Sequence, residues 1–554
     1  MKATIASLLA KSTKLKKDDI ENLIEVPKDS KLGDFAFPCF SLSKEMKKSP
    51  VEIAKDLVFK LKSPELEKVE AIGPYLNFFV NKSSLATETL GKIQREKEKF
   101  GSSKKGKGKR VVIDMSSPNI AKPFGIGHLR STIIGNSLSE IAKFQGYDVT
   151  KINYLGDWGT QFGKMIVGWK KKGNEIKLKK EPIKHLLELY VEGNKTEYED
   201  DARKWFKKLE DGDKEALQLW NKFKEYSLKE FDIIYNFMGI KFDVLSGESK
   251  YNDKMEDTIK LLAEKGLLEE SEGAQIVNLE EYKLGVCLIK KSDGATLYAT
   301  RDITAAIERQ NDYKFSKMIY EVGNEQRLHF QQLFKVLELL GFQWAKDCVH
   351  VNHGLYLDED GKKFATRKGK TIFMEDILSE TVALAKEEIK KREKLDEKEL
   401  EERAKKIALA AIFYGDLKNY RANDIIFDVN KFISFEGNTG PYLLYSYARA
   451  KSILRKANFK ETNIEVKDLS ESEKALINKL ASFPEVVQHS FDNLSPNIIA
   501  NYSFDLSQLF NEFYHSSQVI GSEQEALRLS IVNCFAQTLS NALSLLGISV
   551  IEKM

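Results

Sequence analysis

The sequence predicts an α/β protein: a parallel-sheet domain with a helical insertion, a small α+β domain before it and an all-α helical bundle after it. Three observations favour this class. Residues 110–155 have the pattern of strand, glycine-containing turn, helix and strand, the repeating unit of a parallel sheet. Residues 170–250 are helical and rich in Lys and Glu. Most of the chain after residue 375 has helical periodicity.

The first predicted domain is residues 1–100. It contains helical stretches followed by a strand, punctuated by glycine and proline, at 71–80 (AIGPYLNFFV). Residues 101–109 (GSSKKGKGK) are polar, glycine-rich and basic, which is typical of a flexible linker. A loop that contacts phosphate is the alternative for this segment.

The parallel-sheet domain is predicted to span residues 110–380, with the insertion at about 170–250. It begins with a short buried strand (RVVID), and Gly146 ends the helix that follows. A second strand covers 149–155. The rest of the domain is predicted to contain strands at 284–290, 317–322 and 348–351, a hairpin turn at 292–294 and a helix at 326–340.

The helical bundle is predicted to span residues 381–554, and its last helix has the clearest pattern. Ser522 and Glu525 have the spacing of a capping box. Apolar residues then repeat every four positions from Leu527 to Leu543, and Gly547 ends the run.

Composition excludes several classes of protein. At 554 residues the chain is long enough for about two to four domains. Its 42% hydrophobic and 31% charged residues fit folded domains and not a disordered chain. No apolar run is long enough to cross a bilayer and the first residues do not resemble a signal peptide, so we expect a cytoplasmic location.

Cysteine and charge patterns set the expected cofactors and partners. The four cysteines lie far apart and the histidines lack metal-ligand spacing, so neither disulfides nor a structural metal is predicted. The net charge of +4, from 87 basic and 83 acidic residues, neither requires nor excludes a nucleic-acid partner.

The central motif is residues 116–132 (SSPNIAKPFGIGHLRST), which join the first strand of the sheet to its helix. Glycine lets the backbone approach a ligand closely, and a helix N-terminus offers unpaired N–H groups to phosphate. His128 lies at that terminus and can hydrogen-bond a phosphate or ribose oxygen of a nucleotide. A glycine pair alone is explained equally well by a capped helix start, but the whole string is far more specific.

This string resembles the "HIGH" region of class I aminoacyl-tRNA synthetases, in the Ser-Pro-Asn-x-Ala-Lys form of the arginyl family. It departs from the family at Gly125, where a histidine is usual, which leaves His128 as the imidazole donor of the motif. The resemblance assigns the following residues to ATP binding: Lys122, Gly125, Gly127, His128, His353 and Gly354.

Residues 362–369 (KKFATRKG) resemble the second signature of the class, a loop with the sequence Lys-Met-Ser-Lys-Ser. Lys363 aligns with the first lysine, Thr366 replaces the second, and Arg367 follows. The arginyl family often lacks the second lysine, and Lys122 is implied to replace it. Positioned ammonium groups would stabilise the charge that grows between the α- and β-phosphates as pyrophosphate leaves. Without this resemblance, a Lys/Arg run is usually a solvated loop.

A guanidinium ligand can be argued from charge. Its five donors form a rigid planar fork that carboxylates match with bidentate geometry. Asp114 ends the first strand, at the edge of the sheet where ligands bind. If residues 297–302 are helical, Tyr298 and Asp302 share one face at i and i+4 and can hold a planar cation. Alternatively, Asp302 caps a helix and Tyr298 packs in the core.

The resemblance extends these assignments to arginine and to tRNA. It implies an arginine-binding set of Asp114, Asn119, Tyr298, Asp302 and Gln326. It also implies that residues 1–100 read the tRNA elbow and that residues 381–554 have the anticodon-binding fold named after a "DALR" element, here EALR at 525–528. Aromatic and amide side chains suit unpaired bases, and the candidates for tRNA contact are Asn77, Phe79, Tyr442 and Tyr514.

The implied reaction has two steps. Arginine attacks the α-phosphate of ATP and forms arginyl-adenylate, and the 2′-hydroxyl of the terminal adenosine of tRNA-Arg then takes the arginine. No protein nucleophile is needed, and Mg²⁺ is expected to arrive with ATP. Most family members bind tRNA before they activate arginine, and we expect a monomer here. Two alternatives remain open: another class I synthetase or related adenylyl-transferring ligase, and a non-catalytic tRNA-binding paralogue, which the departures at Gly125 and Thr366 keep in view.

Overall fold

The computed structural model describes residues 1–27, 29–292, 298–364, 366–367, 370–371, 373–462, 466 and 468–554. The chain divides into two compact units. The first unit comprises residues 1–100, 449–484 and 505–539, and the second comprises residues 101–448, 485–504 and 540–554. Within these described ranges, no helix combines the length and the apolar composition that a bilayer crossing requires.

The N-terminal segment is a three-stranded antiparallel sheet with helices. Its elements are α1 (Lys2–Ser12), α2 (Lys17–Leu23), β1 (Phe35–Pro38), α3 (Ser43–Met46), α4 (Pro50–Val58), β2 (Leu66–Ile72), β3 (Tyr75–Val80) and α5 (Lys82–Glu96). The strand order is β1-β3-β2. The single strand predicted at 71–80 was wrong, because Gly73 takes a φ of +59° and turns the chain into an antiparallel hairpin.

A five-stranded parallel sheet forms the centre of the second unit, with the order β11-β10-β4-β5-β6. Its first half and the insertion contain β4 (Arg110–Asp114), α6 (Ile126–Phe144), β5 (Asp148–Leu155), α7 (Gln161–Lys172), α8 (Glu175–Lys180), α9 (Pro182–Gly193), α10 (Glu199–Glu210), α11 (Lys214–Met238) and β6 (Val244–Gly247). The predicted βαβ unit and the parallel sheet are confirmed.

The second half of the sheet domain follows in chain order. It contains α12 (Met255–Glu264), β7 (Glu269–Ser271), β8 (Ala274–Asn278), β9 (Val286–Lys290), α13 (Tyr298–Tyr313), β10 (Lys317–Gly323), α14 (Arg327–Leu339), β11 (Cys348–His353), β12 (Tyr356–Leu357), β13 (Thr366–Arg367) and β14 (Lys370–Thr371). The predicted turn at 292–294 lies partly outside the described residues. Because all five central strands are parallel, their carboxyl ends meet at one edge of the sheet.

The remaining chain is almost entirely helical, as predicted. It contains α15 (Met374–Lys390), α16 (Glu397–Leu417), β15 (Ile425–Ile426), α17 (Val429–Phe432), α18 (Gly440–Lys456), α19 (Glu471–Ala481), α20 (Phe483–Asp492), α21 (Asn497–Ser516) and α22 (Glu525–Leu545). The predicted capping box of the last helix was wrong. The Ser522 hydroxyl donates to the carbonyl of Val519, and the Glu525 carboxylate accepts from the Gly521 N–H, which lies one residue earlier than a capping box requires.

Two packing features fix the loops at the carboxyl edge of the sheet. The helices of the insertion bury an apolar core that includes Ile120 and Ala121 from the loop after β4. Arg130 on α6 is fully buried, with its Nε 3.2 Å from Asp416 Oδ2 on α16, and the Tyr356 hydroxyl donates to the same carboxylate. Removing one partner of such a buried pair usually costs about 3–5 kcal/mol, so α6 is held firmly.

Candidate active site

The turn that joins β4 to α6 has an unusual backbone. Ser116, Ser117 and Ala121 all have positive φ, of 74°, 46° and 62°. Left-handed backbone costs roughly 1–2 kcal/mol for a residue with a side chain, so other contacts must stabilise it. The Ser116 N–H donates to Ser131 Oγ, and the Ala121 N–H donates to Ser227 Oγ, both at 2.9 Å. We call residues 115–122 the β4 turn.

A cavity of about 490 Å³ opens at the carboxyl edge of the sheet, beside the β4 turn. We call it the sheet-edge cavity. It is lined by all five residues predicted to bind arginine and by eleven others: Asp114, Ser117, Asn119, Tyr154, Gly156, Gln161, Glu248, Tyr298, Asp302, Ala305, Arg309, Tyr320, Val322, Gln326, His329 and Phe330. The lining residues come from strands β4, β5 and β10, from the loops that follow the strands, from one face of α13 and from the first turns of α7 and α14.

Asn119 is fixed in this cavity by a close backbone approach. Residues 119 and 156 form a parallel bridge, and the Gly156 N–H donates to the Pro118 carbonyl at 3.2 Å. A Cβ atom on Gly156 would lie only 2.2 Å from Asn119 Oδ1. Glycine is therefore required at position 156 for the amide of Asn119 to keep its place.

Helix α13 begins at Tyr298, so the predicted i, i+4 pair of Tyr298 and Asp302 is confirmed. Tyr298 is 61% exposed and does not pack in the core. Asp302 Oδ2 accepts a hydrogen bond from His329 Nε2 at 2.7 Å, and Oδ1 lies 3.5 Å from the Tyr154 hydroxyl. The carboxylate is thus oriented on one side and still open to the cavity on the other.

Asp114 lies at the buried end of the same cavity and has an internal partner that sequence reasoning missed. Arg309 NH2 lies 2.8 Å from Asp114 Oδ2, and both side chains are almost completely buried. Burial raises the pKa of Asp114, and the Arg309 guanidinium opposes that rise. The rings of Tyr154 and Tyr320 flank the guanidinium, with centroids 4.8 and 5.5 Å away.

A further carboxyl group in this cavity was also missed from the sequence. Glu248 follows β6, and burial raises its pKa to about 7 while the nearby Arg301 guanidinium, 3.8 Å away, opposes the rise.

One sequence signal could have placed Arg309 in this cavity. Arg309 lies seven residues after Asp302, and that spacing puts both residues on the same face of α13.

A second cavity, of about 370 Å³, lies at the N-terminus of α6. We call it the α6 cavity. Five of the residues predicted to bind ATP are among those that line it: Lys122, Pro123, Gly125, Ile126, Gly127, His128, Leu187, Tyr190, Lys363 and Phe364. A Cβ atom on Gly127 would have no neighbour within 4 Å, so a ligand can approach the backbone there.

The tautomer of His128 follows from its hydrogen bond. The Gly125 N–H donates to His128 Nδ1 at 3.1 Å, so Nδ1 is unprotonated and Nε2 carries the hydrogen. Burial, together with the neighbouring His353 and Lys122, lowers the pKa of His128 to about 4. At neutral pH the side chain is therefore an uncharged donor.

His353 and Gly354, also predicted to bind ATP, are not among the described residues that line this cavity. His353 Nδ1 hydrogen-bonds Glu321 Oε1 at 2.9 Å. A Cβ atom on Gly354 would lie only 2.5 Å from the carbonyl oxygen of Asn423. Lys363 Nζ forms an exposed ion pair with Glu325 at 3.2 Å. The backbone of Thr366 and Arg367 forms β13, but their side chains lie outside the described part of the chain.

The four tRNA candidates are dispersed along the chain. In the first unit, Asn77 is only 3% exposed and Phe79 is half-buried, with Lys68 Nζ 4.2 Å from its ring centroid. Tyr514, also in the first unit, is 39% exposed, and Tyr442, in the second unit, lies 5.7 Å from the ring of Phe504. Contact with tRNA stays a prediction for all four.

Comparison with protein families accounts for this arrangement. A model of the class I tRNA synthetase (R) catalytic domain matches residues 89–429. Models of the DALR anticodon binding domain and of the arginyl tRNA synthetase N-terminal domain match residues 443–554 and 1–80. The chain belongs to the arginyl-tRNA synthetase family. It is an ATP-dependent arginine–tRNA ligase, which forms arginyl-adenylate and then transfers arginine to tRNA-Arg. The two alternatives left open by the sequence are therefore not supported.

The chain is similar over nearly its whole length to individual members of the arginyl-tRNA synthetase family. It is 47% identical to the arginine–tRNA ligase of Clostridium perfringens over 100% of both chains. It is 48% identical to arginine–tRNA ligase 2 of Bacillus anthracis over 98% of this chain and 97% of that one. Among solved structures, the fold resembles the arginyl-tRNA synthetase of Thermus thermophilus, with a TM-score of 0.81, 24% identity and 96% of each chain covered. The arginyl-tRNA synthetase of Plasmodium falciparum has a TM-score of 0.79 and 27% identity, with 96% of this chain and 94% of that one covered.

The close approach at Gly156 gives a first prediction for this arginyl-tRNA synthetase. In Gly156→Ala the new methyl group must displace the Asn119 amide, so we expect kcat/KM for arginine to fall on the order of 100-fold. The measurement is arginine-dependent ATP–pyrophosphate exchange in the presence of tRNA. Gly91→Ala, a helical glycine that faces only the mobile end of Arg95, is the matched control and should behave as wild type. Equal activity of the two variants would contradict the role given to this contact.

Proposed function

We propose that arginine occupies the sheet-edge cavity and that the nucleotide of ATP occupies the α6 cavity, with the β4 turn between them. The observation that carries this proposal is the β4 turn itself. Its Asn119 lines the first cavity and its Lys122 lines the second, so the two substrates would meet across a few residues of one turn. This is the geometry that an in-line attack of a carboxylate on an α-phosphate requires.

Asp302 is the proposed anchor for the guanidinium of arginine. Its carboxylate is partly exposed, with 24% of the side chain accessible, and both Asp302 and Tyr298 line the cavity. A planar fork of donors can form two parallel bonds with such a carboxylate, while an aromatic ring covers the face of the cation. Gln326 and Asn119 supply amide groups for the remaining donors or for the α-amino and carboxylate end.

Asp114 has a less direct place in this proposal. Its charge is already balanced by Arg309 at 2.8 Å, so it contributes acceptor lone pairs at the buried end of the cavity more than net charge. The side chain of the substrate thus enters a cavity in which one carboxylate is neutralised by an internal arginine and another, Asp302, is accessible. That arrangement favours a ligand with a single positive charge at its end.

On the nucleotide side, the proposed contacts are donors without negative charge. His128 Nε2–H and the first N–H groups of α6 would face phosphate or ribose oxygens. Lys122 and Lys363 would approach the phosphates, and Lys363 would leave its exposed partner Glu325 to do so. For His353, Gly354, Thr366 and Arg367, contact with ATP remains a proposal that rests on resemblance.

Mg²⁺ is proposed to enter as a complex with ATP. Among the described residues that line the α6 cavity none is a carboxylate, and the described residues contain no cluster of three or more His, Cys, Asp or Glu that could hold a metal ion. The ion would therefore be coordinated by phosphate oxygens and water, while the lysines of this chain neutralise charge on pyrophosphate.

A function is likewise proposed for each part of the chain. Residues 1–100 would read the tRNA elbow, 101–109 would be a linker, 110–380 would carry the chemistry, and 381–554 would bind the anticodon. We also propose that the enzyme acts as a monomer in the cytoplasm. The matches to the N-terminal and anticodon binding domain models support the two tRNA-binding parts.

The role of Asp302 is tested by Asp302→Asn. This change removes a charge directed at the guanidinium, so kcat/KM for arginine should fall roughly 100-fold, equivalent to about 3 kcal/mol. KM for ATP should stay close to the wild-type value, because the α6 cavity is unchanged. Steady-state pyrophosphate exchange measures both.

Asp312→Asn supplies the matched control for that experiment. Asp312 lies on the same helix but is exposed, with only a long 3.9 Å pairing to Lys250, so its loss should change neither constant. A comparable loss of ATP affinity in Asp302→Asn would show that the two cavities have been assigned wrongly.

The requirement for tRNA is tested separately. If the enzyme follows most of its family, arginine-dependent pyrophosphate exchange needs tRNA-Arg, and omission of the tRNA should reduce exchange to background. The control is tRNA from which the terminal adenosine has been removed, which can still bind but cannot accept arginine. Equal exchange rates with and without tRNA would reject the requirement.

A further inference from the structure

His329 is a residue of the sheet-edge cavity to which the reaction described so far gives no role. It lies in the first turn of α14, three residues after Gln326. Its Nε2 is 2.7 Å from Asp302 Oδ2, and its ring meets Phe330 edge-on at a centroid distance of 5.3 Å. Because a carboxylate can only accept, Nε2 carries the hydrogen in this bond.

The two oxygens of Asp302 are held unequally as a result. Oδ2 accepts the short bond from His329, whereas Oδ1 has only the 3.5 Å contact with the Tyr154 hydroxyl. Burial and the Asp302 charge raise the pKa of Tyr154 well above its ordinary value, so that hydroxyl stays protonated. The His329 bond is therefore the contact that fixes the plane of the carboxylate, and a fixed plane is what bidentate recognition of a guanidinium needs.

We propose that His329 is a positioning residue for arginine: uncharged, it orients the Asp302 carboxylate toward the substrate, and protonated, it competes with the substrate for that carboxylate. This inference rests on the proposed role of Asp302. Arginine binding would then be linked to release of a proton from His329, because two cations cannot share one partly buried carboxylate without a large cost.

The groups that face His329 support this linkage. Asp302 of α13 hydrogen-bonds His329, and Tyr154 of β5 lies 3.5 Å from the same carboxylate. His350 of β11 stacks on the ring of Phe330 at 4.5 Å, and His329 meets that ring edge-on. Burial lowers the pKa of His350 to about 4, so His350 stays uncharged over the range in which an ordinary imidazole titrates. Among the described residues Asp302 is the charged group that hydrogen-bonds His329, and Glu248, whose pKa burial raises to about 7, lines the same cavity.

The test is the pH dependence of KM for arginine, from about pH 5.5 to 8.5, in tRNA-supported pyrophosphate exchange. In the wild-type enzyme KM for arginine should rise by about tenfold toward the acid end, while KM for ATP stays flat. His329→Gln keeps an N–H donor but cannot be protonated. It should retain the wild-type KM at alkaline pH and lose the acid rise.

His329→Leu removes the donor and should raise KM for arginine about tenfold at every pH, with kcat and KM for ATP preserved. His350→Gln is the matched control, since it replaces a histidine on the same phenylalanine without touching Asp302, and it should keep the acid rise. If the Leu variant does not fold, the comparison of His329→Gln with wild type decides the matter alone.

Two results would overturn the inference: an acid rise in KM for arginine that persists in His329→Gln, or a folded His329→Leu enzyme with the wild-type KM for arginine. The proposed role of Asp302 can fail independently. If Asp302→Asn leaves KM for arginine unchanged, Asp302 is not the anchor, whatever the His329 variants show.

Discussion

The backbone of the β4 turn is the constraint on which both proposed substrate sites depend. Three residues with side chains, Ser116, Ser117 and Ala121, adopt left-handed conformations within six positions. Hydroxyl groups on α6 and α11 accept hydrogen bonds from this backbone and so offset its cost. The turn can therefore present Asn119 to one cavity and Lys122 to the other. The insertion supplies Ser227 and the apolar core around Ile120, and it therefore supports the β4 turn directly.

The distribution of charge between the two cavities matches the substrates proposed for them. The sheet-edge cavity has three carboxyl groups, but Asp114 is paired with Arg309, and burial raises the pKa of Glu248 to about 7. Asp302 is left as the accessible anion for one cationic end. The α6 cavity offers two lysines and an uncharged histidine donor to a polyanion. Positive side chains suit a cavity proposed to bind the negatively charged ATP, whereas the internal guanidinium of Arg309 in the sheet-edge cavity must be neutralised by its own carboxylate.

Much of this architecture follows from the sequence, for reasons that are local. The βαβ unit is visible because its strands are short and apolar and its helix has a clear period. The pairing of Tyr298 with Asp302 is visible because i, i+4 spacing fixes which side chains share a helix face. The strand predicted at 71–80 and the capping box predicted for the last helix were wrong. Each depends on a single backbone conformation or hydrogen bond that several neighbouring residues could satisfy.

The partners of the site residues could not be predicted, because they are brought together by the tertiary fold. Arg309 lies 195 positions from its partner Asp114, and His329 lies 27 positions from its partner Asp302. No periodicity connects the two members of either pair. The hydroxyls of Ser131 and Ser227 lie 15 and 106 positions from the residues of the turn to which they hydrogen-bond.

The proposed binding of the arginine side chain by Asp302 in the sheet-edge cavity can be seen in a crystal structure of the enzyme soaked with L-arginine. We expect two guanidinium nitrogens within about 3 Å of the Asp302 carboxylate, the Tyr298 ring over the cation and the α-carboxylate of arginine directed toward the α6 cavity. A guanidinium bound away from Asp302, or an arginine whose α-carboxylate points away from Lys122 and His128, would contradict it.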